Sequence, residues 1–405
     1  MNDNPMKSRG RLTRAALVAV ALAGSLCVHP RPISAAASGP PIEIYAILTT
    51  SGNGAFFGQA EANALKVAEP RINAAGGIGG RPVHFVVLDD QGNPATTVQL
   101  VSDLIVKKVS LFLGPGTPAA CFAATPLIDK AGPVAMCLNP SGHPSPGSYL
   151  FDPYADSTEV ASAILRYFRE RGITRIALLN ATDASGRDAD RAFAYAFRLP
   201  ENRNLVDVAD EHYNTSDITV AAQLSRIKAA APQAVVSFQS GSPLGTVLHG
   251  LHDAGMDVPV ATSGGNMTYG QMQAYAGFLP TDMLFSGTIA WVPGDIGPGP
   301  IRDAQLAYVA ALKSAGMRPE AGAVTVWDPA LIAVDVLRAV GPHAEAGNVR
   351  AYLANLHGWV GAQGVYDFKS YPQHGVGANA EIVMRWDAAN GTFVPASRRG
   401  GALRK

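Results

Sequence analysis

The chain has 405 residues, which is enough for two domains of ordinary size. Its 32 Lys and Arg residues balance 32 Asp and Glu residues, so the formal net charge is zero at pH 7. A balanced charge argues against the strongly basic surface on which nucleic-acid binding depends, and we expect no nucleic acid as a partner.

The N-terminal segment 1–37 has the layout of a secretory signal peptide. Four basic residues precede an uncharged apolar run over 15–28, and small residues follow at 34–37. The run is shorter than the roughly 20 apolar residues needed to span a bilayer. Leu26 precedes Cys27 where lipoprotein signals place a small residue, so we expect cleavage without lipid attachment. The segment predicts export to the periplasm.

Two cysteines remain when this segment is removed. They are Cys121 and Cys137, and a disulfide between them would persist in an export compartment. The sequence is compatible with this pairing and equally compatible with two free thiols.

The segment 72–90, INAAGGIGGRPVHFVVLDD, invites comparison with a phosphate-binding glycine loop, which follows a strand and opens a helix. Here an alanine-rich pattern typical of a helix, over 59–75, comes before the glycines, and a β-branched pattern typical of a strand, over 83–88, comes after them. This order predicts a helix C-cap with Gly76 or Gly77 in the left-handed conformation. We therefore expect no nucleotide cofactor, and no other cofactor is indicated.

Short apolar runs alternate with amphipathic segments from residue 41 onward. The predicted strands are 42–48, 83–88, 111–113, 134–138, 175–179, 205–208, 234–238, 258–261 and 284–289. The predicted helices between them are 60–73, 95–109, 119–130, 157–171, 188–197, 217–230 and 244–254. Helices at 301–316, 330–340 and 348–356 and strands at 365–368 and 381–386 follow. This alternation predicts an α/β protein with doubly wound parallel sheets, and the Pro-, Ser- and Gly-rich segment 140–156 is a candidate domain crossing.

Five segments carry a resemblance to a known family. They are LTTSGNGAFFGQA at 48–60, INAAGGIGGRPVHFVVLDDQGNP at 72–94, FLGPGTPAA at 112–120, LHDAGMDVPV at 251–260 and GVYDFKSYPQHG at 364–375. With these segments, the chain resembles the periplasmic solute-binding proteins of ABC transporters, in the group named for leucine and other branched-chain amino acids. The resemblance covers nearly all of the chain after the signal peptide.

The resemblance implies two Rossmann-like doubly wound lobes that are joined by three crossover segments and close on a small molecule. It implies an N-terminal lobe formed by 41–153 and 290–375, and a C-terminal lobe formed by 154–289 and 376–397. We expect a monomer that is not an enzyme and that presents its ligand to a membrane permease. A ligand-sensing protein that serves a separate receptor is an alternative with the same fold.

The loops beyond the carboxyl ends of the strands are the candidate binding site, because ligands of open parallel sheets gather there. The candidates of the first lobe are Phe56, Phe57, Thr117, Pro118, Ala119, Asn139, Ser141 and Gly142. The candidates of the second lobe are Asp183, Ser185, Gln239, Gly264 and Gly265. On the residues alone, an ordinary turn or helix cap is the favoured interpretation of each loop. The resemblance favours binding at Thr117, Pro118, Ala119 and Ser141.

The second lobe departs from the family pattern, which limits what the resemblance implies about the ligand. Binders of α-amino acids in this group usually present a tyrosine where this chain has Ser185, and an acidic residue near Gly264. This sequence has neither, so the expected ligand is an apolar or aromatic carboxylate or an amide more than an amino acid, although amino acids stay open. Asp183 is the alternative partner for a ligand ammonium group.

An enzyme is the rival class, but the sequence contains no nucleophile elbow, HExxH motif, P-loop or cysteine pair at zinc spacing. His249 and His252 stand one turn apart beside Asp253, and we interpret them as an exposed helix face and not as a metal site. His143 could pair with an anion, but we expect it to be a surface residue of its loop.

Overall fold

The computed structural model describes residues 37–239 and 241–404, and the predicted signal peptide lies outside them except for its last residue. Five strands form a first sheet: β1 Ile42–Leu48, β2 Val83–Asp89, β3 Leu111–Leu113, β4 Val134–Met136 and β5 Leu150–Phe151. The order is β2-β1-β3-β4-β5 and every neighbouring pair is parallel. The predicted parallel sheet is thereby confirmed for this half of the chain.

Seven strands form a second sheet: β6 Arg175–Ala181, β7 Val206–Tyr213, β8 Ala234–Val236, β9 Val260–Thr262, β10 Met283–Thr288, β13 Glu381–Asp387 and β14 Thr392–Pro395. A hairpin of β11 His357–Gly361 and β12 Gly364–Asp367 stands apart from both sheets. The order of the second sheet is β14-β13-β10-β9-β8-β6-β7, and β13 and β14 are antiparallel to their neighbours.

The helices of the described residues are α1 Ala55–Ala74, α2 Pro94–Val106, α3 Pro118–Ile128, α4 Ser157–Glu170, α5 Ala184–Phe197, α6 Ala221–Ala229, α7 Leu244–Asp253, α8 Tyr269–Ala274, α9 Pro300–Ser314, α10 Ala321–Val340 and α11 Ala346–Asn355. Apolar clusters cover both faces of each sheet, and α1 packs against α10 over the first sheet while α4 packs against α5 over the second. None of these helices combines the length and apolarity required to cross a membrane.

The chain passes between the sheets three times: between β5 and α4, after β10, and between β12 and β13. Two doubly wound sheets joined by three crossings confirm the predicted fold class. We retain 41–153 with 290–375, and 154–289 with 376–397, as the proposed lobes.

Local sequence signals explain where several helices begin and end. Asp156 and Glu159 form a capping box that starts α4 directly after the first crossing. At the other end, α1 stops at Ala74, and Gly76 and Gly77 follow with φ of 94° and 57°. The glycines of the INAAGGIGG segment therefore form the predicted helix C-cap, and the strand β2 follows them.

The helix α10 differs from its prediction. It begins at Ala321, whereas the pattern predicted a start at residue 330, directly after Pro329. A proline removes one backbone donor, which favours a helix end in solution, but here the helix continues through it because the preceding turns are buried against α1. Tertiary packing has overridden the local signal.

Candidate functional site

A cavity of ≈ 150 Å³ lies between the two lobes, at the carboxyl ends of their parallel strands. Residues of both lobes line it, and so do Tyr154 of the first crossing and Trp291 of the second. An apolar cavity of about this volume holds a benzene ring. The body of a fitting ligand is therefore of the size of one ring or one branched side chain.

Ten of the thirteen predicted site residues line this cavity: Phe56, Phe57, Thr117, Pro118, Asn139, Ser141, Ser185, Gln239, Gly264 and Gly265. Three do not. Ala119 lies within the first turn of α3, and the N–H of Gly142 is turned to Asp152 Oδ2 at 2.8 Å. Asp183 caps α5 by accepting from the N–H of Gly186 at 2.8 Å, so its carboxylate is engaged at the helix end and does not line the cavity.

The N-terminus of α3 is directed at the cavity. Thr117 is its N-cap residue, but the Thr117 side chain makes no capping hydrogen bond, and Pro118 occupies the first helical position. The free N–H groups of the first turn are therefore not satisfied by the cap, and they carry the positive end of the helix dipole. This arrangement favours a ligand carboxylate beside Thr117.

The helix α5 contributes from the second lobe. Its cavity-lining residues are Ser185, Asp188, Ala189, Ala192 and Phe193, which follow the i, i+3, i+4, i+7, i+8 spacing of one helical face. The N-terminus of α5 thus lies at the cavity as well. The Asp183 carboxylate already accepts from the N–H of Gly186 at this N-terminus, so α5 contributes the side chains of one face to the cavity.

The remaining walls are mostly apolar and aromatic. Phe56 and Phe57 come from the first lobe, Phe193 and Phe238 from the second, and Trp291 from the second crossing. Phe193 and Phe238 make an edge-to-face contact with 5.5 Å between ring centroids. No lysine, arginine or histidine of the described residues lines the cavity. Recognition of an anion therefore depends on backbone dipoles and hydroxyl groups.

The disulfide of the first lobe contacts the loop that carries Asn139 and Ser141. Cys121 of α3 and Cys137, just after β4, are bonded with their Cα atoms 6.1 Å apart. Asn139 Nδ2 donates to both sulfur atoms, at 3.1 and 3.2 Å, and Asn139 Oδ1 accepts from the N–H of Ser141 at 3.1 Å. The disulfide therefore helps to position Asn139 and Ser141 at the cavity.

A cluster of charged groups joins the lobes beside the cavity, and it corrects the prediction for His143. Its side chain is only 25% exposed; Nδ1 lies 2.9 Å from Asp156 Oδ2, and Nε2 lies 2.5 Å from Asp188 Oδ1. Arg191 Nη2 lies 3.0 Å from the same Asp188 oxygen. The surface interpretation was wrong because it considered the loop alone, whereas α5 of the other lobe covers the imidazole.

The pKa values show that the cluster is ionic. Burial alone would lower the pKa of His143, but its hydrogen bonds with Asp156 and Asp188 raise it to about 9. Burial alone would raise the pKa of Asp188, but the hydrogen bond and the charge of His143, together with Ser141 and Arg191, lower it. At neutral pH the cavity-lining carboxylate of Asp188 is therefore ionised and already neutralised by His143 and Arg191.

Backbone groups of the two lobes meet at the edge of the cavity. The N–H of Ser242 donates to the carbonyl oxygen of Asn53 at 3.4 Å. At the neighbouring Gly241, with φ of +74°, an added Cβ would lie 2.1 Å from that same oxygen. A Cβ at Gly270 would lie 2.7 Å from the ring of Phe56. These two glycines allow the lobes to approach so closely.

The histidines of α7 that were considered as metal ligands do not line the cavity. His249 is paired with Asp253 at 2.9 Å, with both side chains 61% exposed, and His252 is also exposed. The three residues occupy an exposed helix face, as the sequence predicted.

The residues that sequence reasoning missed fall into two groups. Asp188 and Phe193 were detectable, because they continue the helical stripe that begins at the predicted Ser185. Trp291 and Glu381 lie in or beside crossings, where no periodicity marks the side that faces the cavity. Only the meeting of the two lobes brings them to the site.

Comparison with known proteins agrees with this arrangement. The family model for "Periplasmic binding protein" matches residues 41–392. No curated protein sequence matches the chain. Among solved structures, an extracellular ligand-binding receptor from Rhodopseudomonas palustris HaA2 is 20% identical with a TM-score of 0.75, covering 90% of this chain and 100% of its own.

Two further structures were solved with ligands. A solute-binding protein of an ABC transporter from R. palustris, in complex with benzoate, is 18% identical with a TM-score of 0.74, covering 90% of this chain and 98% of its own. A branched-chain amino acid transporter substrate-binding protein from Streptococcus pneumoniae, in complex with isoleucine, is 20% identical with a TM-score of 0.70, covering 88% and 100%. At these identities the likeness establishes the fold.

Two α/β lobes, three crossings and a cavity between the lobes define a bilobal ligand-binding protein. The chain belongs to the periplasmic binding protein family. The family binds ligands and is not enzymatic, which confirms the expectation that this chain is not an enzyme.

Proposed function

We propose that this chain is the exported substrate-binding component of an ABC importer and captures a small organic carboxylate between its lobes. The observation that carries the proposal is the cavity itself. The N-terminus of α3, whose N–H groups the Thr117 side chain leaves uncapped, faces a space of ring size with aromatic walls. Its partners are then one small ligand and a membrane permease, and the protein acts as a monomer in the periplasm.

The charges of the cavity support an anionic ligand. Asp188 is neutralised by His143 and Arg191, and burial raises the pKa of Glu381 to about 8, with a smaller contribution from the charge of Glu159. At neutral pH neither cavity carboxyl opposes the entry of a carboxylate. The aromatic walls fit an aromatic or branched apolar body, in line with the benzoate and isoleucine bound by the two structural relatives.

Ligand binding also explains why the two lobes close. A molecule that contacts both lobes stabilises the closed form only by its higher affinity for that form over the open one. Ser141 of one lobe and Ser185 of the other line the same cavity, so a ligand between them bridges the lobes.

A thermal-shift screen of the mature protein tests the proposal. Amino acids, aromatic acids, aliphatic acids and amides are compared, and a ligand at about 100 times its Kd adds about 2.7 kcal/mol of stability. We expect aromatic or branched carboxylates to give the largest shifts. If amides or uncharged solutes shift the unfolding temperature and no carboxylate does, the carboxylate assignment is wrong.

A variant of the α3 N-cap sharpens this test. Thr117→Asp supplies a good N-cap whose carboxylate competes with the ligand for the same N–H groups, so we expect carboxylate affinity to fall by at least about tenfold without loss of stability. The control is Asn93→Asp, which places an aspartate at the N-cap of α2, where Asn93 already caps the helix, away from the cavity. Equal affinities of the two variants would contradict the α3 site.

A further inference from the structure

The imidazole of His143 bridges the two lobes beside the cavity. His143 lies in the loop after β4 of the first sheet, whereas its partners Asp156 and Asp188 lie at the start of α4 and on α5, the two helices that cover the second sheet. Each ring nitrogen contacts one of these carboxylates. One residue of the first lobe is therefore bound to two carboxylates of the second, and the chain supplies every group of the contact.

The backbone of His143 is held by its own lobe. The N–H of the preceding Gly142 donates to Asp152 Oδ2 at 2.8 Å, and Asp152, directly after β5, is fully buried. The φ angle of His143 is 43°, in the left-handed region that residues other than glycine adopt only where their surroundings determine it. The loop is thus anchored to the first lobe in an uncommon conformation that presents the imidazole to the second lobe.

Burial makes this contact stronger than a surface ion pair. The side chain of His143 is 25% exposed and that of Asp188 is 5% exposed, so solvent screens their interaction little. Arg191 of α5 covers the contact, with Nη2 at 2.6 Å from His143 Nε2. Its positive charge opposes that of the imidazolium, but the two carboxylates outweigh it. The contact joins the lobes only when they are close together.

The strength of the contact depends on the proton of His143. Burial alone would lower the pKa of this imidazole, but the hydrogen bonds with Asp156 and Asp188 raise it to about 9. Both carboxylates belong to the second lobe, so separation of the lobes returns the imidazole to its ordinary value of about 6.5. Because the pKa is higher in the contact, protonation favours the closed lobes fully below about pH 6.5, and this effect is lost as pH rises through about 9.

We propose that His143 is a latch that favours the closed form of the two lobes before a ligand binds, and that releases them when its imidazole loses its proton. A ligand then adds to a closure that the chain itself already favours, and solutes enter only while the latch is open. The latch acts on the lobes alone, so it is independent of the carboxylate assignment.

The other titratable groups around the latch do not replace His143 as its switch. Burial would raise the pKa values of Asp156 and Asp188, but hydrogen bonds and the imidazolium lower them, so both stay ionised above neutral pH. Burial lowers the pKa of His374, beside the third crossing, which leaves that ring uncharged. Burial raises the pKa of Asp152 well above its ordinary value. A variant of His143 retains Asp152, so comparison with wild type separates the two groups.

The distance between the lobes in the ligand-free protein tests the latch. Spin labels are placed at Val106→Cys on α2 and Ser225→Cys on α6, two exposed positions on different lobes, and the mature chain is refolded from denaturant to remove bound solutes. At pH 7 we expect mainly the distance of the present structure, and a longer distance when His143→Asn is added. Asparagine accepts the left-handed conformation, so this change removes the charge and not the turn.

The pH dependence provides a second readout that does not require a stable variant. In the labelled chain with His143, the ratio of closed to open lobes should fall by up to about fiftyfold between pH 7 and about pH 9.5, since the contact loses its proton over this range. With His143→Asn the ratio should be low at both pH values.

His212→Asn is the matched control. His212 of β7 pairs with Asp190 of the same helix α5 at 2.9 Å, and its pKa is also raised, but both partners belong to the second lobe. We expect this variant to keep the lobe distance and its pH dependence.

Several results would overturn the latch. Lobes that are mainly apart in the labelled chain at pH 7, or equally closed with and without His143→Asn, would reject it. A closed fraction that stays constant up to about pH 9.5 would also reject it. If His212→Asn opens the lobes as far as His143→Asn does, the effect comes from disturbing α5 and not from an interlobe contact. Failure of every carboxylate in the thermal-shift screen would refute the proposed function and leave these distances unaffected.

Discussion

Replacing His143 with Asn should destabilise the protein strongly at slightly acidic pH and hardly at all at alkaline pH. His143 comes from the loop after β4, and it pairs with Asp156 at the start of α4 and with Asp188 on α5. The other charged groups near it are Arg191 on α5, Asp152 after β5, and His374 beside the third crossing. The substitution removes the one imidazolium among these groups.

The magnitude follows from the pKa of His143, which rises from 6.5 to about 9 in the folded protein. A folded-state value above the unfolded value stabilises the protein fully below the unfolded pKa, and the contribution is lost as pH rises through the folded pKa. With about 1.36 kcal/mol for each pKa unit, the contribution is about 3 kcal/mol at about pH 6 and close to zero at about pH 9.5. The side chain is 25% exposed, so about 3 kcal/mol is an upper value.

Urea unfolding of wild type and His143→Asn at these two pH values measures the effect directly. The matched control is His249→Asn, because His249 also pairs with an aspartate but lies on an exposed helix face, where an ion pair contributes about 0.5 kcal/mol or less. Equal losses at both pH values would show that His143 acts by packing and not by charge. A control that loses as much as His143→Asn would refute the reasoning.

Three further predictions concern other parts of the chain. Replacing both Cys121 and Cys137 with Ser opens a loop of about 16 residues and should reduce the free energy of unfolding by about 3 kcal/mol, measured by urea unfolding; a loss below about 1 kcal/mol would contradict it. Gly186→Ala places a Cβ 1.8 Å from a backbone oxygen and should cost about 1–3 kcal/mol and weaken ligand binding, whereas Gly277→Ala, with open space around it, should be nearly neutral in both assays. Protein exported by the cell should begin between residues 36 and 38, and mass spectrometry that finds an acylated Cys27 instead would overturn unlipidated release.

The fold was predictable because its signals are local and repeated. Each parallel strand is a short apolar run followed by one amphipathic helix, so the strands β1 and β6 were predicted to begin at the observed residues 42 and 175. Strands without such signals were not predicted, or were predicted too short. The strand β5 has two residues, and β7 is an edge strand whose polar half, up to Tyr213, carries little apolar pattern.

The residues of the site were predictable from the sequence where they lie in a loop that directly follows a strand. Thr117, Ser141 and Gly264 follow β3, β4 and β9, and the rule that ligands gather at carboxyl ends of strands locates them from the sequence. The partnership of His143 with Asp188 and the placement of Glu381 depend on how the lobes meet. Neither is encoded within about twenty residues of the chain, so no local pattern indicates it.

Gly241 and Gly270, at the edge of the cavity, determine how closely the two lobes can approach each other. At Gly241 main-chain atoms of the two lobes are in contact, and at Gly270 the backbone of one lobe lies against the edge of the Phe56 ring of the other. A Cβ at Gly241 would meet the carbonyl oxygen of Asn53, and a Cβ at Gly270 would press on the ring of Phe56, so either would oppose this close approach. The minimum aperture is thus fixed by the two residues that have no side chain, and a single methyl group there would change the size of solute that can be fully enclosed.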